Sequence, residues 1–248
     1  MNFISGSFSV NLPPADPLPW QPAPSAQAAA AIGGVTPFSS ADWPGQLAAV
    51  VFVAGCPWRC HYCHNPHLQL RQASLSWASV RDWLPSRRGL LDGVVFSGGE
   101  PLSEPALASM LAEVRALGFG VALHTAGIYP QRLASVLDTL DWVGLDIKTD
   151  AAGHDALTGK PRSHWPVGIS LAMLLESGCA FECRTTWSPR WLPEPRLLAL
   201  ARQLADQGVR HYAVQNYRSA PGQPAEGALS LAAQQQLAQW FERFVYRQ

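Results

Sequence analysis

The run Leu47-Ala-Ala-Val-Val-Phe-Val-Ala-Gly-Cys56-Pro-Trp-Arg-Cys60-His-Tyr-Cys63-His-Asn-Pro66 joins an apolar segment to a loop carrying three cysteines. Val50 to Val53 are β-branched or aromatic, which suits a buried strand. Beyond Gly55 the spacing C-x3-C-x2-C supplies three thiolates and no fourth. A cubane iron–sulfur cluster normally takes four Cys thiolates, so a loop with three leaves one iron open to bind and activate another molecule. The competing reading is zinc held by Cys56, Cys60 and Cys63 with His61, His64 or His67. Structural zinc sites usually draw paired ligands from two knuckles, and this loop is a single one.

Outward from this run, short apolar segments rich in Val, Phe and Ile alternate with longer stretches of helical periodicity, the pattern of βα units and a parallel sheet. Strands are expected near 47–54, 93–97, 119–124, 142–147, 180–186 and 210–215. After the second of these, Ser103 is a candidate N-cap, Pro105 falls in the first turn and Gly118 follows the last periodic residue. Leu107, Met110, Leu111, Val114 and Leu117 then share one face. Similar helices fit Pro195 to Gln207, closed by Gly208, and Ser230 to Phe244. The expected fold is α/β, a partial (β/α)6 TIM-like barrel open on one side, with reactive residues at the C-terminal ends of the strands.

The chain has 248 residues, with 18 Lys plus Arg against 18 Asp plus Glu, so its formal net charge is zero. That balance lacks the basic footprint of a nucleic-acid binder. Five cysteines, three of them within eight positions, do not form a disulfide framework and point to a reducing, cytoplasmic setting. No Lys or Arg precedes Arg59, which removes the positive region of a secretory signal. The longest apolar run, Leu47 to Cys56, is shorter than the ~20 residues a membrane span needs, so a soluble protein is expected. Six prolines between Asn11 and Ser25, followed by an alanine-rich stretch, mark residues 1–32 as a flexible Pro/Ala-rich N-terminal extension to a core domain over 33–248.

Gly98-Gly99-Glu100-Pro101 follows the second strand. Glycines let backbone approach a ligand closely, and an adjacent carboxylate can accept from an ammonium group. Asp146 and Lys148 end the fourth strand two residues apart, and so point to the same side, toward the barrel interior or, as an exposed pair, just past the strand end. A charged pair in the interior is costly unless it meets a polar ligand. Arg184, on the fifth strand, offers a planar fork for a carboxylate. Cys179 and Cys183 have no partners to complete a second cluster and read as core residues of that strand.

The cysteine loop resembles the C-x3-C-x-aromatic-C motif of the radical S-adenosylmethionine (SAM) superfamily, with Tyr62 in the aromatic place, and Gly98-Gly99-Glu100 resembles that superfamily's GGE motif. The resemblance implies that Cys56, Cys60 and Cys63 hold a [4Fe–4S] cluster whose fourth iron is chelated by SAM. It implies reductive cleavage of SAM to methionine and a 5′-deoxyadenosyl radical. It also gives Gly98, Gly99 and Glu100 the methionine amino group, and Arg184 the methionine carboxylate. The D-x-K of Asp146 and Lys148 is similar to the SAM-contacting pair of glycyl-radical-enzyme activases. Asn65 and Thr125 would lie at SAM, and Gln215 and Asn216 would reach its adenosine.

Residues 36–45, especially Asp42 and Pro44-Gly45, together with Cys63-His64-Asn65-Pro66, resemble anaerobic ribonucleoside-triphosphate reductase activating proteins. The implied function is hydrogen abstraction from a glycine Cα of that partner, with a low-potential electron donor such as flavodoxin or ferredoxin. Where related activases often carry Asp-Thr-Asn-Gly, this chain has His124-Thr125-Ala126-Gly127, so two of the residues for a cation site there are replaced while Thr125 and Asp146 remain. His124 reads as a core histidine or as a neutral substitute near SAM. The rival readings are an activase of another glycyl radical enzyme such as pyruvate formate-lyase, a small-molecule radical SAM enzyme such as a deazapurine-forming synthase, and a non-catalytic iron–sulfur or zinc module.

Overall fold

A computed structural model of the chain describes residues 29–219 and 223–248. Eight strands form one sheet in sequential order: β1 (Ile32–Ser39), β2 (Ala48–Val53), β3 (Gly93–Gly98), β4 (Gly120–Thr125), β5 (Trp142–Asp146), β6 (Ala180–Trp187), β7 (His211–Asn216) and β8 (Arg243–Arg247). β1 runs antiparallel to β2, and every later pair is parallel. The six expected strands are β2 to β7, and among the described residues the sheet is not closed, with β1 and β8 at its edges. The fold is therefore the expected partial α/β barrel with one strand added on each side.

Both edge strands escaped the sequence reading for physical reasons. Gly33, Gly34 and Pro37 interrupt the apolar alternation of β1, and proline is tolerated there because an edge strand need not donate on both sides. At the other edge, the helix expected to reach Phe244 stops earlier, as α7 (Leu231–Trp240). Arg243-Phe-Val-Tyr-Arg247 instead places three β-branched or aromatic residues in a row, which suits a strand, and pairs with β7. Parallel pairing to a buried strand outweighs the helical spacing of Phe241 and Phe244.

The connecting helices are α1 (Trp77–Trp83), α2 (Leu107–Ala116), α3 (Pro130–Val136), α4 (Ala151–Thr158), α5 (His164–Ser177) and α6 (Glu194–Asp206). Met110, Leu111 and Val114 of α2 join the main core as expected, each worth about 1.5–3 kcal/mol by transfer from water. Ser103 is not the cap of α2, which begins four residues later. It lies in a 3-10 turn (Pro101–Ser103), and its hydroxyl donates to the carbonyl of Gly55 (3.2 Å). Pro105 likewise precedes α2 instead of opening it.

Period-2 alternation sorts β2 between two layers: Ala49, Val51 and Val53 face the helices, whereas Ala48 and Val50 face the barrel interior beside Val95, Ala122 and Trp142. Trp43, just before β2, stacks on Trp142 with ring centroids 6.5 Å apart and fills the N-terminal end of the interior. A Cβ on Gly93 would come within 2.5 Å of the Trp43 ring, so the glycine makes room for this plug. Asp42, Pro44 and Gly45 flank it, with Gly45 at φ +80° in the turn before β2. Ala30 and Ala31 are buried and Ile32 opens β1. The remainder of the extension, residues 1–28, lies outside the described residues. None of the described helices is long and apolar enough to cross a membrane.

Candidate active site

The cysteine loop leaves the C-terminal end of β2 and is held by its backbone. The Gly55 amide donates to Leu68 O (2.7 Å), Cys56 N to Gln69 O (3.1 Å) and Arg59 N to Thr158 O at the end of α4 (2.9 Å). The Arg59 side chain folds back, and its Nη1 donates to the carbonyls of Cys56 (2.6 Å) and Trp58 (2.8 Å). Trp58 is buried and packs edge-on against His154 of α4, with centroids 5.3 Å apart. Cys56, Cys60 and Cys63, all partly exposed, line one cavity of about 160 Å³ at the C-terminal ends of the strands. Burial pushes the Cys56 thiol up to about 11 and raises Cys60, with the Lys148 ammonium pulling both the other way. Such thiols become thiolates when a metal replaces their protons.

Gly98 and Gly99 form the adjoining wall of the cavity. The sequence assigned their glycines to the approach of a ligand, but the structure gives a different reason. Gly98 has φ +114°, and a Cβ there would stand 2.3 Å from Val53 O; a Cβ on Gly99 would stand 2.5 Å from Gly55 O. The pair is needed because the end of β3 packs directly on the backbone of β2 and the cysteine loop. Glu100 is fully buried and does not line the cavity. Its carboxylate accepts from Leu102 N (3.0 Å), Thr125 Oγ1 (2.7 Å) and Ala126 N (2.9 Å), fastening the β3 loop to the end of β4. Burial raises its pKa, and these hydrogen bonds work against that rise.

Asp146 and Lys148 both line the cavity, as their spacing predicts, with Nζ 3.5 Å from Oδ2. Arg184 joins them, and its Nε–Nη2 edge closes on Asp146 Oδ1 (2.8 Å through Nη2 and 3.2 Å through Nε), which leaves that edge unavailable to another carboxylate. Burial would raise the Asp146 carboxyl, yet the Arg184 and Lys148 cations bring it below its usual value. Burial also opposes the Lys148 ammonium, and the surrounding Tyr62, Asp146 and cysteine groups reverse the balance and hold it protonated. Its Nζ lies 5.8 Å from the centroid of the Tyr62 ring. The cavity thus pairs three soft sulfur donors with a fixed cation on its facing wall.

Thr125 and Asn65 reach the cavity and Gln215 does not: it is exposed on β7, outside the lining. Asn216 is occupied elsewhere, donating to Gly227 O (3.1 Å) and accepting from Tyr246 OH (2.9 Å). His124 is at once a buried histidine and a lining residue, and its Nε2–H donates to Asp42 O (2.7 Å). Burial, reinforced by the Arg184 charge, lowers its pKa to about 3, so the ring is neutral. Cys183 is buried in β6 as expected, whereas Cys179 precedes that strand and is only partly buried. The sequence reading missed Trp58, Gln69, Ser97 and Thr186, which also line the cavity. Thr186 was detectable, since it stands two residues along β6 from Arg184, and Ser97 directly precedes Gly98 at the end of β3. It also missed Trp191 and Tyr217: Trp191 stacks on Tyr62 (5.1 Å) and Tyr217 on His64 (5.5 Å), buttressing the cysteine loop from the β6 and β7 ends.

The pattern describing the Radical SAM superfamily matches residues 50–167, the span from β2 through the start of α5 that contains the cysteine loop, the glycine pair and Lys148. Residues 50–167 carry a radical SAM domain. A Methanocaldococcus jannaschii protein described as a glycyl-radical enzyme activating enzyme is 25% identical over 196 residues, 76% of this chain and 80% of that one. The pyruvate formate-lyase-activating enzyme of Clostridium pasteurianum is 35% identical over 130 residues, 48% of this chain and 53% of its own length. The matched part is thus about half of that relative. In fold, a radical SAM methyltransferase from Sphaerobacter thermophilus superposes with a TM-score of 0.61 at 18% identity, covering 82% of this chain and 67% of that one.

A radical SAM domain implies an iron–sulfur cluster and SAM, and the donor chemistry of the residues present fits both, with the three thiols lining one cavity but not drawn together into a ready metal site in this structure. Three thiols open on one cavity, without a fourth to close the ligand set, beside a protonated lysine suited to an anionic group. When bound, such a cluster supplies an iron with an open position and the electron that cleaves a sulfonium. The chain's own residues orient and enclose: Glu100 fixes the floor, Lys148 and Asp146 present charge, and Tyr62, backed by Trp191, closes one side against water.

Proposed function

We propose that this protein is a glycyl-radical-enzyme activase. It holds a [4Fe–4S] cluster on Cys56, Cys60 and Cys63, cleaves SAM reductively, and uses the resulting radical to remove a hydrogen atom from a glycine Cα of a partner enzyme. The observation that carries this reading is the convergence of the three thiols with Lys148 and Asp146 on one cavity. Gly98, Gly99, Asn65, Thr125 and Tyr62 complete the SAM site in this reading, with Lys148 rather than the occupied Arg184 meeting the methionine carboxylate.

The recipient we propose is the anaerobic ribonucleoside-triphosphate reductase, on the resemblance of residues 36–45 and 63–66. Pyruvate formate-lyase is the second reading, favoured by the names of the relatives in Clostridium and Staphylococcus aureus. Trp43 and its flanks plug the barrel floor, so the discriminating weight falls on Cys63 to Pro66 at the cavity. Incubation of the reduced protein with SAM and each recipient, read by electron paramagnetic resonance, separates the two. A glycyl radical on the reductase is expected, and a radical formed only on the formate-lyase transfers the assignment.

A further inference from the structure

Reductive cleavage needs an electron from outside. Outside the loop the chain has only Cys179 and Cys183, too few thiols for a second iron–sulfur cluster, so the electron must arrive from a separate molecule while SAM and substrate fill the cavity. The donor therefore has to approach the cysteine loop from the side away from the cavity.

That side carries a concentration of unpaired positive charge. Arg59 is exposed on the loop, and its backbone amide is bonded to Thr158 O (2.9 Å), which places it against the turn following α4. Lys160 and Arg162, in the same turn, are exposed, and none of the three cations makes an ion pair among the described residues. Asp155, which precedes this turn, is engaged with backbone, hydroxyl and imidazole groups: it accepts from Arg162 N (2.6 Å), Ser163 N (2.9 Å) and Ser163 Oγ (3.1 Å) and lies 3.8 Å from His164 Nδ1. No Asp or Glu occurs from residue 156 to residue 175, or from residue 43 to residue 81. Arg162 is also the one non-glycine residue at positive φ (+56°) among the described residues, a conformation that costs an L-residue about 1–2 kcal/mol. Trp165, 53% exposed, stands beside these charges. Aromatic and arginine side chains are the commonest anchors of protein interfaces.

We propose that Arg59, Lys160, Arg162 and Trp165 form the docking surface for a small acidic protein that delivers single electrons. This rests on the radical SAM reading of the site. The donor's reduced flavin or iron–sulfur group loses one electron and the cluster gains one, with no atom transferred. Arg59 links the surface to the cluster loop directly, because its guanidinium is bonded to Cys56 O.

The test uses the reconstituted full-length protein with flavodoxin as the probe, and compares the wild type with Lys160→Glu and with the double variant Lys160→Glu/Arg162→Glu. Calorimetric affinity and the stopped-flow rate of cluster reduction are read at low and high salt. Steering by opposite charge is strongest at low salt. The double variant should lose about tenfold or more in both readouts there, with Lys160→Glu intermediate and the difference closing at high salt. Photoreduced deazaflavin should reduce wild type and variants alike. Unchanged flavodoxin affinity and salt dependence in the double variant overturns the proposal, as does a loss confined to binding of the radical recipient. If deazaflavin-reduced wild type leaves SAM intact, the functional reading fails, while flavodoxin affinity still answers the docking question.

Discussion

The site depends on individual side chains in ways that substitutions separate. Cys60→Ala should abolish cluster assembly, leaving protein that folds but carries little iron and lacks the cluster's visible absorbance. His124 gives a different readout. Burial and Arg184 lower its pKa to about 3, against about 6.5 in an unfolded chain. Between those values the unfolded chain binds more protons, so the contribution of His124 is fully present above about pH 6.5 and is lost as the pH falls toward about 3. Denaturant midpoints at about pH 7 and about pH 4.5 should therefore differ less for His124→Gln than for wild type. An equal pH dependence in the two proteins contradicts the placement of a neutral, buried imidazole. The histidine itself was visible in the sequence. Its bond to Asp42 O was not, because that contact spans 82 positions.

At the scale of elements, the six strands from β2 to β7 were legible because short apolar runs at their positions alternate with longer stretches of helical periodicity. The edges were not. β1 has its alternation broken by glycines and proline, and β8 shares its phenylalanines with a plausible helix face. The glycine pair shows a subtler limit, since its presence was plain and its reason was not. Gly98→Ala meets both a forbidden φ and a Cβ 2.3 Å from Val53 O, which together cost at least about 1–3 kcal/mol. Its melting temperature should fall, and cluster loading should fall with it because β3 supports the loop. A variant with wild-type melting and iron content contradicts that packing argument.

Across the whole molecule, the sheet gathers residues from five strands into one cavity: the cysteine loop after β2, Gly98 and Gly99 from β3, His124 and Thr125 from β4, Asp146 and Lys148 from the end of β5, and Arg184 and Thr186 from β6. The sequence named most of them because their spacing along the chain carries the chemistry. Gln215, which the sequence placed at the adenosine, stands outside this lining and is exposed on β7. The proposed activity requires all of these groups to act on one molecule of SAM. The most direct test is anaerobic reconstitution with iron and sulfide, reduction, addition of SAM, and quantification of 5′-deoxyadenosine by chromatography. The account predicts 5′-deoxyadenosine and methionine in equal amounts, with neither formed by Cys60→Ala; intact SAM in the presence of a fully loaded, reduced cluster would contradict it.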